Sequence, residues 1–198
     1  MIDLETERLL IRNYRVDDWK DLAELGMKYE ETDLAKYDEG PWPDDLEVYK
    51  GMVQDLAKSD DFLAVVLKET KKLVGLIYKA AKENKKYEFG FNFNTDYQGK
   101  GYASESCKVV VDYIFDILKA NLITAGTAKV NAPSNKLLLK LGFKQVGEKT
   151  IAFRKDENGN PIEFEALDYV LKQEDWLNFI NSNSKKSKKE KKHIDELI

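Results

Sequence analysis

The part of this chain best suited to bind a ligand is residues 97–105, which read YQGKGYASE. It follows a segment with aromatic residues at every second position, typical of a half-buried strand, and precedes an amphipathic helical pattern. Gly99 and Gly101 allow the backbone amides to turn toward one point, where the positive end of the helix dipole also lies. The stretch therefore predicts a pyrophosphate site, although two glycines between a strand and a helix often form only a tight turn.

The residues exclude two common phosphate-binding loops. A Walker loop requires Ser or Thr after its lysine, but Lys100 is followed by Gly101, and Asn94 stands where the first glycine should be. A Rossmann loop would carry its third glycine at Ser104. If the stretch binds an anion, it belongs to a different class of loop.

The elements that position this loop follow from hydrophobic periodicity and turn residues. Strands are predicted at residues 7–14, 62–68, 72–79, 87–94, 122–130, 143–153 and 162–171. Helices are predicted from Asp17 or Asp18 to Gly26, from Asp44 to about Lys58, after Gly101, and from Pro133 to Leu141. The pattern favours an α+β fold, an α/β sandwich with a mixed, mostly antiparallel sheet flanked by helices.

Composition favours one domain. Residues 1–181 of the 198 are predicted to form it, and residues 182–198, with six lysines against three acids, are predicted to form a disordered tail. The tail is basic while the whole chain has a net charge of −4, so the domain itself is acidic. A weak contact of the tail with RNA or the ribosome is the alternative to a purely solvated extension.

The single cysteine, Cys107, falls on the apolar face of the helix after the glycines, which argues against a catalytic thiol. Neither a disulfide framework nor a membrane-spanning run is present in the sequence, so a cytoplasmic protein, monomeric or homodimeric and without membrane contact, is expected.

Three motifs, in order along residues 1 to about 176, resemble the GNAT acetyltransferases. Gln98, Gly101 and Ala103 match that family's acetyl-CoA loop. Residues 131–143, NAPSNKLLLKLGF, are similar to its helix after the following strand, and residues 6–12, TERLLIR, are similar to the opening strand of the RimJ/RimL-like branch.

The resemblance implies the GNAT acyl-CoA N-acyltransferase fold and acetyl-CoA as cosubstrate, with no metal. In that fold two neighbouring strands splay apart and the pantetheine arm lies between them, so backbone contacts are implied for Phe91, Asn92 and Phe93, with an oxyanion contact around Asn92. The diphosphate contacts are implied for Gln98, Gly99, Lys100, Gly101, Tyr102, Ala103 and Ser104.

The expected chemistry is direct attack of a neutral amine on the thioester in a ternary complex. Glu88 is the candidate base, but it is equally well explained as a solvent-facing residue of an amphipathic strand. Many relatives protonate the leaving thiolate with a tyrosine, whose position here holds Leu138. The resemblance assigns that donor role to Ser134 and binding of pantetheine to Asn131, while residues 131–134 also fit an ordinary helix start.

The acceptor pocket is implied to lie along the loop from Lys28 to Trp42, which is rich in acids and aromatic residues. These groups suit an ammonium-bearing acceptor such as a peptide N-terminus or a small amine, and they equally suit an exposed loop. The sequence therefore indicates an N-acetyltransferase. The alternative is a non-catalytic GNAT-fold module that binds CoA or a partner, which the leucine at position 138 and the basic tail support.

Overall fold

The computed structural model describes residues 2–182, and these contain eight strands and five helices. The strands are β1 (Asp3–Glu5), β2 (Leu9–Asn13), β3 (Phe62–Leu67), β4 (Leu73–Lys82), β5 (Lys86–Phe93), β6 (Leu122–Ala128), β7 (Lys144–Lys155) and β8 (Pro161–Lys172). The helices are α1 (Trp19–Glu30), α2 (Leu46–Leu56), α3 (Tyr102–Asp116), α4 (Ala132–Lys140) and α5 (173–182).

All eight strands form one sheet, in the order β1-β2-β3-β4-β5-β6-β8-β7. Every neighbouring pair is antiparallel except β5 with β6, which is parallel. A parallel pair requires a crossover connection, and α3 supplies it. The predicted mixed, mostly antiparallel sheet flanked by helices is confirmed.

The sheet separates two hydrophobic cores. Successive residues of β3 alternate between them, with Leu63 and Val65 in one core and Ala64 and Val66 in the other. The first core contains side chains of α3, α4 and α5, and the second contains side chains of α1 and α2. The predicted aromatic strand is β5, whose Phe89 and Phe93 are buried in the first core.

The sequence predicts that the first helix ends at Gly26. In the structure α1 continues to Glu30, so this prediction is wrong. A Cβ atom at Gly26 would lie only 2.4 Å from the Tyr49 hydroxyl and 2.5 Å from the Trp42 ring. Glycine is therefore present for close packing rather than for helix termination. The second helix is capped by Asp45, not Asp44, since the Asp45 side chain accepts from the Glu47 amide at 2.8 Å.

The sequence analysis did not predict α5. Its Trp176 is fully buried and donates its indole N–H to Asp112 of α3 at 2.9 Å. The ring also stacks on Phe179, with centroids 5.4 Å apart. These contacts anchor the end of the described chain on the helix that begins at the glycine-rich loop.

The structure bears on the sequence predictions about membrane spans, the single cysteine and the C-terminal tail. No helix within residues 2–182 is long and apolar enough to span a membrane. Cys107 is fully buried, and burial raises the pKa of its thiol. The predicted disordered tail, apart from Ser182 at the end of α5, lies outside the described residues.

Candidate active site

β5 and β6 separate after a short stretch of pairing. Their parallel ladder comprises only three pairs and ends at Glu88 with Thr124. Beyond this point β5 follows β4 as far as Phe93, whereas β6 follows β8 as far as Ala128. The two strands therefore enclose a cleft between residues 89–93 of β5 and residues 125–128 of β6.

The hydrogen-bond register decides which backbone groups of β5 face this cleft. The amide of Asn94 donates to the Val74 carbonyl of β4 at 3.0 Å, and the carbonyl of Lys85 accepts from the amide of Asn121, which precedes β6, at 2.9 Å. Because backbone groups alternate in direction along a strand, odd-numbered residues of β5 direct theirs toward the β6 side.

Phe91 accordingly directs both its N–H and its C=O into the cleft. Asn92 directs its own toward Leu76 of β4, with which it is paired. This register favours Phe91 over Asn92 for a backbone contact to CoA or to an oxyanion, and the contact itself stays a prediction. The Phe93 carbonyl also faces this side, and it accepts a hydrogen bond from the Gln98 side chain at 3.0 Å.

Residues 94–101 connect the end of β5 to α3. The buried side chain of Asn94 accepts from the Asp96 amide at 3.1 Å and caps a single 3-10 turn, Thr95–Tyr97. Gly99 and Gly101 follow with φ angles of +73° and +84°, in the left-handed region that side chains disfavour. The turn requires both glycines, in agreement with the sequence analysis.

Unpaired amides converge where the loop enters α3. The first helical bond runs from the Glu105 amide to the Gly101 carbonyl at 3.0 Å, so the amides of Tyr102, Ala103 and Ser104 precede it without helical partners. No atom lies within 4 Å of a Cβ built on Gly99, so the loop surface is open there. Free donors, open surface and the positive end of a 15-residue helix fit an anionic group.

Lys100 belongs to the same loop. Its ammonium donates to the Asp96 carbonyl at 3.0 Å and lies 4.9 Å from the centroid of the Tyr97 ring. The lysine therefore adds a positive charge to the surface of the loop.

Asn131 caps α4 and Ser134 lies in its first turn. The Asn131 side-chain oxygen accepts from the Ser134 amide at 3.2 Å, which confirms the helix-start interpretation. Among the described residues, neither the Asn131 side-chain nitrogen nor the Ser134 hydroxyl makes a hydrogen bond, so both groups remain able to bind a ligand. Leu138 is only 1% exposed and belongs to the core.

The sequence analysis missed the role of Asn135. Its side-chain nitrogen donates to the carbonyls of Ala128 and Asn131 at 3.1 and 2.9 Å, and its oxygen accepts from the Tyr169 hydroxyl at 2.7 Å. Asn135 thereby ties the end of β6 to α4 and to β8, and it fixes one wall of the cleft. Its place in the NAPSN motif beside Ser134 was the available signal.

Glu88 occupies the point at which β5 and β6 diverge. Its carboxylate is half exposed and lies 2.8 Å from the Lys82 ammonium. Gly90, two residues after Glu88, is paired with Tyr78 of β4. Tyr78 is not among the candidate residues predicted from the sequence. Burial, followed by the charge of Glu88, raises the pKa of Tyr78. Glu88 and Tyr78 therefore lie on the same face of β4 and β5, beside the point at which β5 and β6 diverge.

The loop between α1 and α2 is attached to the β7–β8 hairpin. Arg154 of β7 makes two bonds of 2.8 Å with the Glu30 carboxylate and donates to the Asp38 carbonyl at 3.2 Å. Tyr37 packs on Phe164 of β8, with ring centroids 5.0 Å apart. The predicted acceptor loop is therefore held by specific contacts.

Glu24 of α1 is bonded to the loop that precedes α3. Its carboxylate accepts from Asn94 at 3.0 Å, from Lys72 at 2.7 Å and from Lys28 at 3.3 Å. Lys28 also pairs with Asp96. Hydrogen bonding from Lys72, which outweighs burial, lowers the pKa of Glu24 from 4.5 to about 2.

Replacing Glu24 with glutamine is expected to lower the free energy of unfolding by about 1 kcal/mol at pH 7. Because folding lowers the pKa of Glu24, its stabilising effect is complete above pH 4.5 and is lost as the pH falls toward 2. Urea unfolding at pH 7 and pH 2.5 measures the difference. The control is Glu47→Gln, at an exposed pair with Lys50. An equal loss for Glu24→Gln at both pH values would contradict the assignment.

Comparison with known families agrees with this geometry. The model of the acetyltransferase (GNAT) domain matches residues 8–144, which include the diverging strands, the glycine loop and α4. The chain belongs to the GNAT acetyltransferase family. GNAT acetyltransferases use acetyl-CoA, and the free amides of the loop and the open edge of β5 are consistent with that cosubstrate.

Known proteins resemble this GNAT acetyltransferase along most of its length. The uncharacterized N-acetyltransferase YnaD of Bacillus subtilis is 29% identical over 177 residues, which cover 87% of this chain and 98% of that protein. The crystal structure of a GNAT-family acetyltransferase from Bacillus anthracis is 28% identical, with a TM-score of 0.73, covering 87% and 99% of the two chains.

A third neighbour extends the comparison of the fold. The ribosomal-protein-S5-alanine acetyltransferase of Vibrio fischeri superposes with a TM-score of 0.74 at 21% identity, covering 89% of this chain and 99% of that one. At this identity the likeness concerns the fold alone.

Proposed function

We propose that the protein transfers an acetyl group from acetyl-CoA to a primary amine, either the N-terminus of a protein or peptide or a small amine. The observation that carries this proposal is the cleft between β5 and β6, which opens beside the amide-rich start of α3. Acetyl-CoA supplies the acyl group in activated form, as a thioester.

The backbone amides of residues 99–104 would hold the diphosphate of the cosubstrate. The unpaired edge of β5 at Phe91 would bond the amides of the pantetheine arm, in the manner of an added strand. Asn131 and Ser134 follow the end of β6, which forms the other wall of the cleft. The Asn131 amide nitrogen would bond the arm, and the Ser134 hydroxyl would donate to the sulfur.

Glu88 is the group proposed to accept the proton of the amine, directly or through water. Its position at the divergence of the strands supports the assignment. At pH 7 an α-amino group costs about 1 kcal/mol to deprotonate, whereas a lysine costs about 4 to 5 kcal/mol. An N-terminal acceptor therefore requires less help from a half-exposed carboxylate.

The charges around the cleft favour a cationic acceptor. After burial, the charge of Glu88 raises the pKa of the Tyr78 phenol, the Lys82 ammonium lowers it, and the carboxylates of Asp61 and Glu39 raise it, so acidic groups outnumber the cation around this ring. Carboxylates near an aromatic ring suit an incoming ammonium group. A protein acceptor and a RimJ/RimL-like enzyme are proposed from the motif at residues 6–12, and the fold neighbour named as a ribosomal-protein-S5-alanine acetyltransferase has a compatible fold.

The proposal is tested by incubating the purified protein with acetyl-CoA and a panel of peptides and small amines. A thiol reagent is expected to detect free CoA that depends on the acceptor, and mass spectrometry is expected to find the acceptor heavier by one acetyl group. Peptides with free N-termini are compared with the same peptides blocked at the N-terminus.

Two outcomes would contradict the proposal. Tight CoA binding without thiol release on any acceptor would favour the non-catalytic binding module, and failure to bind CoA at all would remove the cosubstrate assignment.

A further inference from the structure

The turn between β1 and β2 is hydrogen-bonded to the first turn of α3. Thr6 and Arg8 both donate to the Glu105 carboxylate, and Arg8 does so through its backbone amide at 3.2 Å and its Nε at 2.8 Å. The Arg8 Nη1 atom donates to the Lys100 carbonyl at 3.1 Å. The guanidinium also covers the Tyr102 ring at 4.6 Å. We call Thr6, Arg8 and Glu105 the brace.

The brace joins residues that the sequence motifs left without a role. Thr6 and Arg8 belong to the opening TERLLIR motif, and Glu105 closes the YQGKGYASE stretch. They are about 100 positions apart in the chain, and the brace connects them on the glycine loop. Arg8 bonds the loop on one side of Gly101 through Lys100 and the helix on the other side through Glu105.

Glu105 places a negative charge in the turn of α3 that would face a diphosphate. Burial opposes its ionisation, but the hydrogen bonds from Thr6 and Arg8 outweigh burial and lower the pKa of this carboxyl. An unpaired carboxylate here would repel a bound phosphate. The Arg8 guanidinium neutralises it at 2.5 Å.

Arg8 keeps unused donors beside the loop. A guanidinium has five N–H groups, and the bonds to Glu105 and Lys100 leave one on Nη1 and one on Nη2. The Nη2 atom lies 3.4 Å from where a Cβ of residue 101 would be, and 45% of the arginine side chain is exposed.

We infer that Arg8 is a positioning residue of the cofactor site, which orients the loop amides through the Lys100 carbonyl and cancels the charge of Glu105 so that a diphosphate can bind. The inference rests on the proposed use of acetyl-CoA. It assigns affinity for the cosubstrate to a residue in the turn between β1 and β2, outside the glycine loop itself.

The test is isothermal calorimetry of the full chain with CoA, together with steady-state kinetics. Arg8→Ala is expected to weaken CoA binding by about tenfold or more and to raise KM for acetyl-CoA by a similar factor, with kcat retained. Arg8→Lys keeps the charge but not the forked geometry, so its affinity is expected to be intermediate. The double variant Arg8→Ala with Glu105→Gln is expected to bind CoA more tightly than Arg8→Ala alone.

The control is Glu5→Gln, which breaks an exposed pair with Lys68 in the same β1 region without touching the loop. The inference is overturned if Arg8→Ala binds CoA within about twofold of the unsubstituted protein, or if the double variant binds no better than the single one. It is also overturned if the lost affinity is matched by an equal fall in kcat. If the unsubstituted protein binds no CoA, the proposed function itself fails, which is a different result.

Discussion

Gly101→Asp is expected to reduce the affinity for CoA by at least about a hundredfold, because it places a carboxylate where the amides of the loop would meet the diphosphate. The substitution also forces a side chain onto a residue with φ of +84°. Calorimetry with CoA and free thiol release both measure the loss, and a thermal melt shows whether the domain remains folded.

Gly159→Asp is the matched control for Gly101→Asp. Gly159 has φ of +83° and lies in the turn between β7 and β8, where a Cβ would meet nothing within 4 Å. Gly159→Asp therefore introduces the same backbone strain, about 1 kcal/mol, but places its carboxylate away from the glycine loop. If both variants bind CoA as tightly as the unsubstituted protein, the loop is not the diphosphate site.

Glu88→Gln is expected to lower kcat by about a hundredfold while leaving the affinity for CoA unchanged, because glutamine keeps the shape of the side chain but cannot take a proton. The loss should be larger for an acceptor lysine than for an acceptor α-amine, since deprotonating lysine costs about 3 kcal/mol more. Initial rates with two peptides that differ only in the position of the free amine measure this.

Lys82→Met is the matched control for Glu88→Gln. It breaks the same ion pair but keeps the carboxylate, so kcat should stay within about threefold of the original value. Equal losses in the two variants would mean that the ion pair, rather than the carboxylate as a base, matters to turnover. An unchanged kcat in Glu88→Gln would restore the interpretation of this residue as a solvent-facing strand position.

Local patterns in the sequence predict those structural features whose physical cause lies within a few residues. Both loop glycines adopt positive φ angles, and Phe89 and Phe93 are buried, because turn strain and period-two burial act within a few residues. The divergence of β5 and β6 came only from the family resemblance, since pairing between strands more than thirty residues apart leaves no mark in either strand.

Other features cannot be predicted from the sequence because their causes are tertiary. The direction of the Asn92 amide depends on pairing with Leu76 of β4, which the sequence of β5 does not reveal. The sequence predicts a helix stop at Gly26, whereas in the fold this glycine makes room for Trp42 and Tyr49 from a later segment. Asn131 does start a helix, and its ligand-binding role remains a prediction.

The three-pair ladder between β5 and β6 also bears on the choice of acyl donor. An open strand edge recognises amide groups, and the two amides of the pantetheine arm are identical in acetyl-, propionyl- and longer-chain thioesters. If the β5 edge binds the pantetheine arm as proposed, it would not distinguish donors by acyl length. That selectivity would then come from the side chains at the end of the cleft where the two strands pair, beside Glu88 and Thr124.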